Sequence, residues 1–309
     1  MKRVRYIVGA SLLFTGIAAA QPAPDPASPD APPLDGTAPA VVPAGAAMGT
    51  EMISQPMTLA ASKMSVYGHL DLVHFSSPAV GMVPASSVTA EGVDVGFGYG
   101  VSDKLTVGAT YAFSLHDFEI KGPLTLYGTY SLYNKDKLTV AASANLTFDF
   151  DATDAMGNTS VDTTLNAGLG VRYLVAPKIA VYTGGTPTAG SGPSVAGAVP
   201  AFTPTQGGIL GQHLTIGLYS DAPITLDLPI GAAFQATPQI FLWVNSSIGH
   251  IKISNSANAF LFADFIPINV GANYMASKNL EVEAYLSLPD VENSQFDLLF
   301  FGIGARYYN

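Results

Sequence analysis

An all-β fold, a closed antiparallel transmembrane β-barrel of about twelve strands, is the architecture this sequence predicts, and three observations carry the expectation. Apolar and polar residues alternate with a period of two in segments of about ten residues from Thr58 onward. Only 12% of the residues are charged and 48% are hydrophobic, yet after residue 20 no apolar run reaches the ~18 residues of a membrane helix. Very short connections also alternate with longer ones, the pattern of a barrel with turns on one side of a membrane and loops on the other.

The elements follow in chain order. Lys2, Arg3 and Arg5 precede an apolar stretch from Tyr6 to Ile17, and Ala18-Ala19-Ala20 ends it with small residues. This is the pattern of a signal peptide over residues 1–20, with Gln21 as the mature start. Its removal takes three basic residues and no acidic ones, so the formal charge of -10 becomes -13. Residues 21–56 are expected to be a Pro/Ala-rich disordered linker, because the 27 residues from Gln21 to Ala47 include 8 prolines and 8 alanines. Such a tether could reach peptidoglycan or a periplasmic partner, or fold back into a lumen. Residues 57–309 are expected to form the barrel.

Within that barrel, Leu105, Val107, Ala109, Tyr111 and Phe113 oppose Thr106, Gly108, Thr110, Ala112 and Ser114. Leu138, Val140, Ala142, Ala144 and Leu146 oppose Thr139, Ala141, Ser143, Asn145 and Thr147. Comparable faces lie near 64–75, 88–101, 123–133, 161–173, 224–236, 259–276, 280–288 and 296–308, with shorter strands near 179–184 and 240–247. The short connections are Ser102-Asp103-Lys104, Asn134 to Lys137, Ala176-Pro177-Lys178, Thr237-Pro238-Gln239 and Ser277-Lys278-Asn279. The long ones fall around 76–87, 116–122, 151–158, 185–222, 248–258 and 289–295. Tyr99, Tyr173, Phe234, Tyr274 and Tyr307 stand near the short turns, and Phe113, Phe148 and Phe262 near the long loops, as two interfacial aromatic girdles. On this register Val107→Arg puts a charge into lipid at a cost of about 2–4 kcal/mol at midplane, and Thr106→Arg, on the inner face, is expected to be milder.

The apparent signal sequence, hairpins such as Gly100-Val101-Ser102-Asp103-Lys104-Leu105-Thr106-Val107, and the last strand resemble Gram-negative outer-membrane β-barrels. The repeated turn-Lys-Leu-Thr-Val hairpins, with the entry Met57-Thr58-Leu59, are similar to the phenol-degradation meta-pathway porin/transporter family over residues 57–309. That likeness implies outer-membrane localisation after export, contact with lipid and the barrel-insertion machinery, and transport of small molecules. Where such barrels close on an aromatic residue, this chain closes on Asn309.

The formal charge of -10 excludes a basic nucleic-acid binder, and the absence of cysteine excludes thiol catalysis. One pair has the pattern of a hydrolase: His74 and Ser76 share a strand face, so the imidazole could take the hydroxyl proton. Two residues recur easily by chance, and a polar strand end is the simpler reading, so no enzyme is expected. His69, His116, His213 and His250 lack metal-ligand spacing, and Asp149, Asp151 and Asp154 lack that of an EF-hand, so neither a metal nor a cofactor is expected. Alternation puts Asp71, Asp94, Asp162, Asp227, Glu281 and Glu283 on lumen faces with Arg172 and Arg306. Lumen carboxylates in that excess point to a passive, cation-preferring channel for small solutes. The alternatives are a non-transporting anchoring or display barrel and, behind it, a lipid hydrolase.

Overall fold

The computed structural model describes residues 51–77, 86–114, 123–153, 159–183, 186–188, 201–203, 214–219, 224–253, 259–261, 268–288 and 298–309. The expected signal peptide and nearly all of the expected linker lie outside them. Strands follow in the order β1 (Met64–Ser77), β2 (Ser86–Ser102), β3 (Leu105–Ser114), β4 (Leu124–Lys135), β5 (Leu138–Thr153) and β6 (Thr159–Ala176). Then come β7 (Ile179–Thr183), β8 (Thr186–Thr188), β9 (Ala201–Thr203), β10 (Leu214–Tyr219), β11 (Ile224–Gln235) and β12 (Ile240–Ile253). The chain ends with β13 (Ala259–Leu261), β14 (Ile268–Ser277), β15 (Leu280–Leu288) and β16 (Leu298–Tyr308).

Fourteen of these pair into one antiparallel sheet, and β8 pairs only with β9. Two tracks of the large sheet are broken strands. β7 pairs with the turn end of β6 at Val171↔Thr183, and β10 resumes along the same strand from Leu214↔Leu169 to Tyr219↔Thr164. In the same way β14 and β13 share one edge of β12, at Ile240↔Tyr274 and His250↔Leu261. Counting each broken pair once leaves a wall of twelve strands. β1 pairs with β16 from Ser65↔Tyr308 to Phe75↔Leu298, and β11 pairs with both β7 and β12, so the sheet closes on itself. Closure leaves no strand edge unpaired in hydrocarbon.

The two faces sort as the alternation requires. Val66, Val107, Leu126, Leu165, Leu169, Val181, Leu242 and Val270 are exposed on the outside, while Ser65, Thr106, Thr110, Thr125, Thr129, Thr139 and Asn145 are buried inside. Tyr173, Phe234, Tyr274 and Tyr307 are exposed outward beside the short turns, forming the expected girdle at that end. Of the aromatics expected to form the other girdle, Phe262 lies outside the described residues. The five short turns all stand where the sequence placed them. One is completed by Asp136 at a φ of 54°, a left-handed conformation that Asp tolerates better than most residues. One expectation needs revision: residues 185–222 are not all loop, because 214–219 rejoin the wall as β10.

The second revision concerns the linker. Residues 51–56, expected as its end, do not trail away from the barrel. Met52–Ser54 form a single 3-10 turn with all three residues buried, and Met57, Thr58 and Leu59 are buried after it. Met52, Ile53 and Leu59 pack with Leu174, Phe241, Met275 and Tyr308, so the apolar core sits inside the barrel at its turn end. The segment is tied by hydrogen bonds as well as by apolar burial. Ile53 N donates to Gln235 Oε1 at 3.0 Å, Leu59 N to Thr106 Oγ1 at 2.7 Å, and Thr58 Oγ1 to the Asp103 carbonyl at 3.0 Å. Gly100 admits the chain as it turns into β1: a Cβ there would stand 2.0 Å from the Ala60 carbonyl oxygen, while Ser62 N donates to Gly100 O.

Thr106 therefore does not face water. It is 2% exposed beneath Leu59, so Thr106→Arg displaces the inner segment and is not the mild substitution expected from alternation. A cleaner comparison uses Leu169, 43% exposed on the outer face, and the inward, half-buried Ser143. Leu169→Arg should lower unfolding free energy in lipid vesicles by about 2–4 kcal/mol, and Ser143→Arg by clearly less. Urea titration followed by tryptophan fluorescence measures both, and equal losses would invert the assignment of faces.

Candidate functional site

The inner wall is built from flat rings and glycines. Tyr67 lies over Gly96, Tyr182 over Gly231, Trp243 over Gly271 and Tyr285 over Gly302, each ring covering the residue directly opposite on the next strand. A Cβ on any of these four glycines would stand 2.0–2.3 Å from a ring atom. Without one, the ring lies along the wall instead of standing into the lumen. The polar tips then reach further: the Tyr182 hydroxyl donates to the Val244 carbonyl at 3.0 Å, and Trp243 Nε1 to Asn273 Oδ1 at 2.9 Å. Large aromatics thus lie flat along the inner wall.

Charge collects on one side of that wall. The inward faces of β15, β16, β1 and β2 carry Glu281, Glu283, Arg306, His69, Asp71 and Asp94, six ionisable residues on four adjacent strands. Register sets Glu281 opposite Arg306, Tyr67 opposite Arg306, and His69 opposite Asp94. A polar chain runs through Glu281, Glu283, His69 and Asp71. Asn273 Nδ2 donates to Glu281 Oε1 at 2.6 Å and to Glu283 Oε2 at 3.0 Å. Glu283 Oε1 lies 3.0 Å from His69 Nε2, and His69 Nδ1 lies 3.2 Å from Asp71 Oδ1. Asp71 Oδ1 accepts from the Tyr285 hydroxyl at 2.6 Å, and Glu281 Oε2 from the Tyr308 hydroxyl. The His69 ring stacks on Tyr285, with centroids 5.3 Å apart and planes 6° apart, and the Arg306 guanidinium sits 5.0 Å above the Tyr67 ring.

Asp71, Asp94, Glu281, Glu283 and Arg306 accordingly stand together on the inner wall. Arg172 stands apart. It is 1% exposed at the turn end of β6, where its Nη2 donates to the Gln55 carbonyl at 2.6 Å and to Thr139 Oγ1 at 3.3 Å. On that inner face it grips the inner segment, because the chain before β1 enters the barrel beside it. Asp162 and Asp227 have their backbones in β6 and β11, opposite Asp149 and His250, but their side chains lie outside the described residues.

Of the hydrolase pair, only the His74 side chain lies among the described residues. His74 is exposed on the outer face at the loop end of β1, and its Nδ1 lies 3.0 Å from Thr89 Oγ1, its cross-strand neighbour. The Ser76 side chain is outside the described residues, as are all of His116, Asp154 and His213.

Sequence reading missed the partners that hold the charges: His69, Asn273, Tyr285 and Tyr308. Signals were present in part. His69 and Asp71 share a face by their spacing of two, and Met52, Ile53, Met57 and Leu59 are an apolar pattern that a solvated linker has no use for.

These features define a closed, lipid-facing β-barrel with a polar, carboxylate-rich inner wall. No family model matches the chain, and no curated protein matches it. Among solved structures it is similar to the KdgM porin, with 9% identity, a TM-score of 0.47, and 79% of this chain and 98% of that chain covered. It is also similar to the COG4313 outer membrane channel from Pseudomonas putida F1, with 12% identity, a TM-score of 0.48, and coverage of 81% and 96%. The TodX deltaS2S3 mutant monoaromatic hydrocarbon channel aligns with 12% identity, a TM-score of 0.40, and coverage of 83% and 92%.

The ring-over-glycine arrangement makes a direct prediction. Gly302→Val forces the Tyr285 ring off the wall and breaks its hydrogen bond to Asp71. The variant should unfold at a lower urea concentration than wild type, and Gly302→Val combined with Tyr285→Ala should recover part of the loss. Equal stability of wild type and Gly302→Val would refute the steric account.

Proposed function

We propose that the protein is a passive outer-membrane channel for small solutes, cation-preferring, with residues 51–63 occluding its turn-side mouth. The observation that carries this reading is the disposition of Tyr67, Tyr182, Trp243 and Tyr285, whose rings lie flat over glycines of the neighbouring strands along the inner wall. A barrel serving only as an anchor needs no such economy, since inward side chains can simply fill it. Asp71, Asp94, Glu281 and Glu283 stand against Arg306 and His69 on the inner wall, which supports cation preference. The likeness of the hairpins to the phenol-degradation meta-pathway porins supports the small-solute part.

Both described chain ends meet at the short-turn side, where Asn309 N donates to the Met64 carbonyl. In this reading that side faces the periplasm and the occluding segment closes the channel from within. Arg172 and Gln235 are two of its latches.

Planar-bilayer recording tests the proposal. Arg172→Met with Gln235→Ala should conduct more often than wild type, and its reversal potential under a salt gradient should have the sign of cation selectivity. Anion selectivity would overturn the charge assignment. Silence of both proteins would favour the anchoring barrel. Orientation is tested separately, because an epitope inserted at Ser277 should be inaccessible to a label applied to intact cells.

A further inference from the structure

We propose that His69, Asp71 and Asp94 form a binding site for a divalent cation of the zinc class on the inner wall of the barrel. The site stands on geometry independent of conduction. His69 and Asp71 are two residues apart on β1 and project from one face, while the β1–β2 register sets Asp94 directly opposite His69. One donor atom from each residue lies within 4.8 Å of the other two.

The imidazole is the centre of the arrangement. His69 is 2% exposed, and neither of its ring nitrogens makes an aligned hydrogen bond among the described residues; each faces a carboxylate oxygen as a charge pair. Zinc binds nitrogen and carboxylate oxygen at about 2.0–2.2 Å, so two donors on one ion stand no more than ~4.2 Å apart. The 3.2 Å between His69 Nδ1 and Asp71 Oδ1 falls inside that limit, and Asp94 offers its oxygen within 4.8 Å of both.

What surrounds these donors is the support that a metal site requires. A ligating histidine hands its second ring nitrogen to a carboxylate, and His69 Nε2 lies 3.0 Å from Glu283 Oε1. Glu283 is itself held by Asn273, and Asp71 by the Tyr285 hydroxyl. Stacking on Tyr285 fixes the plane of the imidazole. Gly304 makes room for the ring, since a Cβ there would stand 2.1 Å from His69 Cδ2. One imidazole and two carboxylates suit zinc and its neighbours, with a coordination position left for water or a passing ligand. A dication also offsets the four carboxylates of this wall, which Arg306 alone faces as a described cation once His69 is a neutral ligand.

The competing arrangement has no metal: a doubly protonated His69 bridging Asp71 and Glu283. Zinc titration of the folded full chain in detergent, read by calorimetry, separates the two. Saturable binding of a single ion per chain is expected. Asp94→Asn, which keeps size and shape, should weaken it at least tenfold, and Glu283→Gln by about 10–100-fold through loss of the orienting carboxylate. Cobalt in place of zinc should give visible absorption that His69→Gln removes. Asp103→Asn, in the β2–β3 turn, should bind as wild type. Faster gel migration of unheated than of boiled protein verifies that each variant is folded. Absence of saturable zinc binding by folded wild type, or binding untouched in a folded Asp94→Asn variant, would overturn the proposal and leave the charge-bridged histidine. Because no transport is measured, failure here is distinct from failure of the channel reading.

Discussion

A backbone amide or carbonyl left unpaired in hydrocarbon costs several kcal/mol, and this constraint organises the whole molecule. It requires the sheet to close, which β1 and β16 do over eleven register pairs. Closure fixes the parity of every strand, and parity decides which residues meet lipid and which meet the lumen. It also brings both described chain ends to one side of the barrel. Asn309 there accepts from Met64 N and donates to the Met64 carbonyl, completing the seam where β1 begins.

Inside the wall a second constraint operates, because inward side chains compete for a limited cross-section. Glycine opposite an aromatic ring resolves the competition by letting the ring lie down, so Tyr67, Tyr182, Trp243 and Tyr285 supply contact area while Tyr182, Trp243 and Tyr285 also donate hydrogen bonds. The turn end is treated differently. There Met52, Ile53 and Leu59 find an apolar floor of Leu174, Phe241 and Met275, and Gln235, Arg172 and Thr106 satisfy the backbone groups of Ile53, Gln55 and Leu59 in turn. The charged wall and the apolar floor meet at Tyr308, which packs in the floor and donates to Glu281 of the wall.

Much of this was legible in the sequence. Alternation in segments such as Leu105–Ser114, with turns as short as Ser102-Asp103-Lys104, gave strand count and facing together, since period two leaves one choice of side. The broken strands escaped it: 214–219 are too short and too far from β7 in sequence to announce that they continue its track along β6. The charged inner-wall residues were readable by parity, but their association was not. His69 meets Asp94 and Glu283 only through strand register and closure, which place β2 and β15 on either side of the β1–β16 seam. The inner segment was hidden by composition, because a proline-rich stretch masked the few apolar residues that follow it.

The central claim is that residues 51–63 are a removable closure of an otherwise passable barrel. The chain has no cysteine, so a single engineered disulfide can test it. The Leu59 amide donates to Thr106 Oγ1 at 2.7 Å, which makes Leu59→Cys with Thr106→Cys the pair to cross-link. Single-channel recording of that variant before and after reduction is the most direct measurement. A silent oxidised form that opens when reductant is added is the expected result. Identical conductance in the two forms would contradict closure by this segment.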